Sequence, residues 1–128
     1  MNLNNYTIKS QEAIQEAVQL VQRHNQQMIE PLHLLMGVMT VGEDVVNFIF
    51  QKLGMNKEYI QQQVESKIKS LPRVTGGNPS LSNDANEVLI KAVDIAKDMG
   101  DEFAAIEQLL LAVLTVKSSA STLMKDAG

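Results

Sequence analysis

The chain of 128 residues has no cysteine and no tryptophan, and it has only two tyrosines and three phenylalanines. Without cysteine it can form no disulfide, no thiol nucleophile and no thiolate metal site, which suits a reducing cytoplasm. With so few aromatic rings it offers little surface on which unpaired bases could stack. These two absences disfavour a secreted disulfide scaffold and a single-strand nucleic-acid binder.

Positive charge is also scarce, because 11 Lys and Arg stand against 15 Asp and Glu, for a net charge of −4. Nucleic acids and anionic membranes are bound by basic faces, so we expect neither as a partner. No stretch approaches the roughly 18 consecutive apolar residues of a membrane-spanning helix, and the first residues lack a secretory signal pattern. We therefore expect a cytoplasmic protein of one domain.

Residues that carry chemistry are sparse as well. Gly76-Gly77 is followed by Asn78 rather than by the Lys-Ser/Thr of a phosphate loop. No set of nucleophile, base and orienting residue is visible, so we expect no enzyme activity, no metal and no cofactor. His33 is interpreted as a hydrogen-bonded packing residue. The alternative, a metal site with His24 and Glu30, would have a poor tetrahedral donor set.

What the sequence does contain is an internal repeat. Residues 6–40 fall on residues 81–115 with an offset of 75 and no gap. Seven positions are identical: Glu12/Glu87, Ala17/Ala92, Val18/Val93, Leu34/Leu109, Leu35/Leu110, Val38/Val113 and Thr40/Thr115. The repeat predicts one small helical unit used twice, with the two copies packed on each other.

End signals predict four helices in the first copy, at about 6–70. The signals are Thr7, Pro31, Gly42 and Asn56 at the starts, with Gly54 as a stop. The body of the second helix, residues 34–39, is apolar almost all round, so it should be buried on several sides. The third helix is predicted to turn inward the side chains of Val45, Val46, Ile49, Phe50 and Leu53.

Residues 71–80 contain two prolines and two glycines and are interpreted as a linker. In the second copy, at about 81–128, Ser82 caps a helix that ends at Gly100, and a third helix from about Ser119 ends at Gly128. The copy stops where the first continues into its fourth helix, so we expect an N-terminal piece of a longer protein. With no strand alternation, the prediction is all-α: two pseudo-symmetric four-helix repeats in one domain.

Three acidic residues, Asp101, Glu102 and Glu107, lie before or at the start of the second buried helix. Negative charge there stabilises a helix N-terminus. The same residues could instead form the acidic edge of a partner-binding groove. Their spacing alone favours the first interpretation.

Several segments together resemble the Clp repeats of the Clp/Hsp100 family of AAA+ chaperones. They are residues 7–13 with 29–35 for the first repeat, 71–74 for the linker, and 100–103 with Glu107 and 109–111 for the second. Residues 30–34, Glu-Pro-Leu-His-Leu, are typical of the ClpB branch, whereas ClpA and ClpC relatives usually carry Thr-Glu-His-Leu. The whole chain is therefore identified as similar to the N-terminal domain of the ClpB disaggregases.

The resemblance implies a non-catalytic module that captures unfolded or aggregated polypeptide and passes it to an ATPase ring. Thr7, Asp101 and Glu107 match the polar positions tied to that role, which favours the acidic-edge interpretation. Leu89 best matches the wall of an apolar groove between the repeats. Lys91 and Gln108 stand where some relatives carry apolar residues, which implies a narrower or more polar groove.

The resemblance also implies what this stretch of chain does not carry. ATP and Mg²⁺ would belong to the AAA+ modules of the parent protein, which would form a hexameric ring and meet the Hsp70 system through other regions. The isolated domain is expected to be a monomer without a cofactor. Two other functions stay open: docking of a folded adaptor, as in ClpA- and ClpC-type proteins, and gating of the pore.

Overall fold

The computed structural model describes residues 2–74 and 76–127, and this part of the chain forms seven helices. They are α1 (Ile8–Arg23), α2 (Pro31–Val41), α3 (Glu43–Leu53), α4 (Lys57–Lys69), α5 (Asn83–Asp98), α6 (Ile106–Thr115) and α7 (Ser119–Asp126). The all-α prediction is confirmed. The predicted stop at Gly128 and the linker residue Thr75 lie outside the described residues.

The helices begin where the capping residues predicted. The side-chain oxygens of Thr7, Asn56 and Ser82 each accept a hydrogen bond from the backbone N–H three residues on, at 3.1, 3.0 and 3.0 Å. Each satisfies a donor that the first turn of a helix leaves unpaired. Gly54 ends α3 with a φ of 70°, a left-handed conformation that glycine adopts without steric cost.

Helix α2 is the centre of the molecule. All residues from 31 to 39 are buried, and α2 contacts α1, α3, α4 and α6. This confirms that the two most apolar helices, α2 and α6, pack on each other. Of the helices in the described residues, none is by itself long and apolar enough to cross a membrane; α2 and α3 reach that length only as a pair bent by 103°.

Helix α3 departs from its predicted inward face. Val46 and Phe50 are buried as expected, but Leu53 is 59% exposed and Val45 is also exposed. The apolar stripe of α3 is wider than the surface that α2 and α6 offer it. Part of the stripe therefore remains in solvent.

Two very short strands were not predicted. β1 (Met28–Ile29) pairs in parallel with β2 (Ser80–Leu81), and Met28 lies opposite Ser80. Two residues are too few to produce an alternating pattern in the sequence. The strands form because the end of the linker runs beside the segment that precedes α2.

A second parallel bridge joins Tyr6 to Ala104. With the 75-residue offset it is the counterpart of the pairing between Leu81 and Ile29. The backbone N–H of Thr7 donates to the Ala104 carbonyl at 3.0 Å, and that of Ser82 donates to the Ile29 carbonyl at 3.0 Å. In each repeat, the segment before the first helix thus pairs with the other repeat. These two pairings join the repeats to each other.

Candidate functional site

The candidate site lies where the start of α1 meets the loop before α6. The Thr7 N–H reaches the Ala104 carbonyl at 3.0 Å, and the Ala104 N–H donates to the Asn5 carbonyl at 2.8 Å. This exchange sets Thr7, from the first repeat, beside the acidic loop of the second. The structure therefore gathers three of the predicted binding residues, Thr7, Asp101 and Glu107, around one loop and the helix that follows it.

Asp101 is held in this loop by Gln108. The Gln108 Nε2 donates to the Asp101 carboxylate at 2.5 Å and lies 3.4 Å from the Met99 sulfur, while Oε1 accepts from the Ala105 N–H at 2.8 Å. Gln108 is buried, whereas Asp101 is exposed. The sequence suggested that Gln108 makes the groove more polar than in some relatives. In the structure Gln108 is buried and holds the loop in place, so it does not lie on a groove surface.

The carboxylates of the site carry no neutralising partner among the described residues. The salt bridges in this part of the chain join Arg23 to Glu16 and Lys57 to Glu43, away from Asp101 and Glu107. Glu107 is exposed in the first turn of α6, where it also suits the positive end of the helix dipole. Both sequence interpretations of the acidic residues are therefore compatible with their positions.

Thr7 is half-buried, and its hydroxyl is already engaged. Its Oγ1 accepts from the Ser10 N–H at 3.1 Å and donates to the Ser10 hydroxyl at 3.0 Å. The contacts of Thr7 within the structure are those of a helix cap. A role in orienting a bound peptide stays a prediction for this residue.

Leu89 was predicted to line a groove between the repeats. Its side chain is only 5% exposed and belongs to the core, and its carbonyl accepts a 2.7 Å hydrogen bond from the buried Tyr6 hydroxyl. Leu89 therefore offers little accessible surface in this structure, and its place on a groove wall stays a prediction. Its counterpart in the first repeat, Ile14, is fully buried. The alignment of the two repeats could therefore have predicted that Leu89 is buried too. Burial also raises the pKa of Tyr6.

Four exposed apolar side chains lie on this loop or on the helices next to it. Ile8, Met99, Phe103 and Leu111 are between 41% and 76% exposed. Ile8 follows Thr7, Met99 touches Gln108, Phe103 precedes Ala104, and Leu111 lies one turn beyond Glu107. Sequence reasoning missed them because it searched for a groove between helices. No signal in the sequence is specific to these four, because other large apolar residues, such as Phe48 and Leu53, are exposed as well.

His33 is a hydrogen-bonded core residue, as the sequence predicted. Its Nδ1 accepts from the Glu30 N–H at 2.9 Å, which leaves the proton on Nε2, 2.8 Å from the Gln26 Oε1. Burial, with a smaller effect from His24, lowers the pKa of His33 to about 4. Both ring nitrogens are occupied, and the described residues contain no cluster of three His, Asp or Glu side chains suited to a metal.

Comparison with known proteins agrees with this architecture. Residues 5–127 match the family model of the Clp repeat N-terminal domain. The chain belongs to this family. The chaperone protein ClpB of Bacteroides thetaiotaomicron is 62% identical to this Clp repeat domain over 128 residues, covering 100% of the domain and 15% of that ClpB. The domain thus spans about 15% of the length of this curated relative.

Two of the solved structures that share its fold illustrate the likeness. The N-terminal domain of Hsp104 from Candida albicans has a TM-score of 0.87 at 21% identity, over 98% of this Clp repeat domain and 83% of that chain. A structure described as "Peptide from EAEC T6SS Sci1 SciI protein" gives a TM-score of 0.83 at 22% identity, over 96% of the domain and 82% of that chain. At such identities the likeness concerns the fold.

Proposed function

We propose that this Clp repeat domain is the substrate-binding module of a ClpB-type disaggregase. It captures exposed apolar segments of unfolded or aggregated polypeptide and passes them to a hexameric, ATP-driven ring in the cytoplasm, which works with an Hsp70 system. One observation carries the proposal: exposed apolar side chains occur on the same loop and helix start as two carboxylates, Asp101 and Glu107, that form no salt bridge within the described residues. The domain itself supplies binding and no catalysis.

The composition of this surface suits weak and tolerant capture. Burial of apolar surface is non-directional and contributes roughly 25 cal/mol per Å², so Ile8, Met99, Phe103 and Leu111 can hold many sequences. Asp101 and Glu107 attract basic residues of a client, because opposite charges attract. Weak single contacts permit release, and six copies on one ring raise the overall avidity.

Docking of one defined peptide or adaptor is a second candidate. It is supported by the neighbouring structure whose description names a peptide of the SciI protein. Both functions would use the same exposed surface. They differ in the state of the partner, because an adaptor is folded and specific, whereas a disaggregase client is unfolded and varied.

The test is an NMR titration of the ¹⁵N-labelled domain with a permanently unfolded casein. We expect amide shifts around Thr7, residues 99–107 and Leu111. Phe103→Ser, at a ring that is 45% exposed, should reduce them, whereas Phe48→Ser removes a still more exposed ring, at 61%, from α3 and should not. Absence of shifts at high casein concentration would reject client capture and direct the search to folded adaptors.

A further inference from the structure

The linker of this chain lies along an edge of the first repeat. The Val74 N–H donates to the Asn25 carbonyl at 2.7 Å, and the Ser80 N–H donates to the Gln27 carbonyl at 3.0 Å. Leu71, Pro72 and Val74 line a cavity of about 190 Å³ together with residues of the segment 26–30. The segment before α2 therefore carries a piece of polypeptide held by main-chain hydrogen bonds and apolar contact.

The second repeat contains the same edge. With the 75-residue offset, Asn25 corresponds to Gly100, and both adopt left-handed backbone, with φ values of 53° and 79°. Residues 26–28 correspond to 101–103. The pairing in the second repeat reaches Ala104, which bonds to Asn5 and Thr7. Within the described ranges, nothing donates to the carbonyls of Gly100 and Glu102, the counterparts of Asn25 and Gln27.

The two edges differ in charge. Gln26 and Gln27 in the first repeat are replaced by Asp101 and Glu102 in the second. The first edge receives a segment with one basic residue, Arg73, between apolar neighbours. Two carboxylates at the second edge favour a basic residue still more strongly, because opposite charges attract.

We propose that the edge 100–103 binds a non-helical polypeptide segment in the manner of residues 71–74 on the first repeat. This deepens the proposed function, on which it rests, and it specifies the ligand. The segment donates one backbone N–H to the Gly100 carbonyl, packs an apolar side chain near Phe103 and places Lys or Arg beside Asp101 and Glu102. It is held by this main-chain hydrogen bond to an exposed edge and by its side chains, a mode related to strand addition.

The experiment uses an end-blocked peptide of residues 69–74, Lys-Ser-Leu-Pro-Arg-Val, added to the ¹⁵N-labelled chain. At about 1 mM, where a site with a Kd of 1 mM is half occupied, we expect saturable amide shifts centred on residues 100–104. N-methylation of Val74 removes the donor to Gly100 and should abolish these shifts. N-methylation of Arg73 is the matched control and should retain them, and Arg73→Glu should weaken binding roughly fivefold.

The outcomes separate this inference from the broader function. Absence of shifts at 100–104, or equal binding by the two N-methylated peptides, overturns the edge-pairing proposal. Shifts centred on residues 25–28 also overturn it, since they would mean that the peptide displaces the chain's own linker. If unfolded casein still shifts the loop, client capture stands without edge pairing; if casein also fails, both proposals fall.

Discussion

His33 and Gln108 occupy equivalent positions in the two repeats, and each accepts a hydrogen bond from the backbone N–H three residues earlier. The Glu30 N–H lies 2.9 Å from the His33 Nδ1, and the Ala105 N–H lies 2.8 Å from the Gln108 Oε1. An amide and an imidazole thus satisfy the same backbone group. Only the imidazole can take up a proton, so acid should affect the two repeats differently.

The first prediction follows from the pKa of His33, which burial lowers to about 4. Below its ordinary value of about 6.5, the unfolded chain binds a proton that the native state does not, so stability falls as the pH drops from about 6.5 to about 4. The full effect is at most roughly 3–4 kcal/mol. His33→Gln, which copies the residue of the second repeat, should remove this loss.

Urea unfolding at several pH values between 4 and 7 measures the effect. His24→Gln changes the other histidine and should leave most of the pH dependence in place. An unchanged slope in His33→Gln would show that other groups cause the acid sensitivity.

The second prediction concerns the close approach of α1 and α2 at Gly37. A Cβ there would collide with the Ala13 carbonyl oxygen. Gly37→Ala should therefore destabilise the fold by roughly 2 kcal/mol, although alanine in a helix ordinarily stabilises by about 1 kcal/mol. Urea unfolding measures the change. The equivalent position already holds the buried Ala112, where Ala→Gly should cost roughly 1–2 kcal/mol through lower helix propensity and a lost buried methyl group. A more stable Gly37→Ala variant would contradict the packing argument.

The starts of the helices could be predicted because their signals are local. Thr7 and Ser82 cap the helix that follows them within three residues of chain. The pairing of Tyr6 with Ala104 joins residues far apart in sequence, and no pattern around either residue reveals it. The 75-residue offset predicts one of the two bridges only when the other bridge is already known.

The candidate site was predicted in part for the same reason. Composition and resemblance pointed to the acidic residues, whereas the only sign that Gln108 turns inward was its alignment, through the 75-residue offset, with the packing residue His33. Leu89 was assigned to a groove wall on the family resemblance, and an apolar residue suits a groove and a core equally. Which of the two applies depends on how the repeats pack, and here Tyr6 covers its backbone.

The third prediction tests Gln108 as the brace of the loop. Gln108→Leu removes the acceptor of the Ala105 N–H and the donor to Asp101, so it should cost about 1–3 kcal/mol of stability. Amide hydrogen exchange should rise mainly in residues 101–105. Gln108→His imports the residue of the first repeat and keeps both hydrogen bonds, so it should remain close to the parent. Equal exchange in both variants would mean that the loop is held by other contacts.

The last prediction concerns the charge of the binding surface. Asp101→Asn with Glu107→Gln removes two negative charges while retaining side-chain shape, and an amide oxygen at position 101 can still accept from Gln108. At low salt we expect roughly three- to tenfold weaker binding of unfolded casein. The difference should shrink near 0.5 M salt, because screening then acts within a few ångströms.

The matched control for this pair is Asp44→Asn with Glu58→Gln, which removes the same charge from exposed positions of the first repeat. Fluorescence anisotropy of labelled casein measures both double variants across a salt series. If both weaken binding equally, the net charge of the domain attracts the client and the placement of Asp101 and Glu107 is irrelevant. A selective loss in the first pair would instead locate the attraction at the loop, since only local charges distinguish two variants of the same net charge.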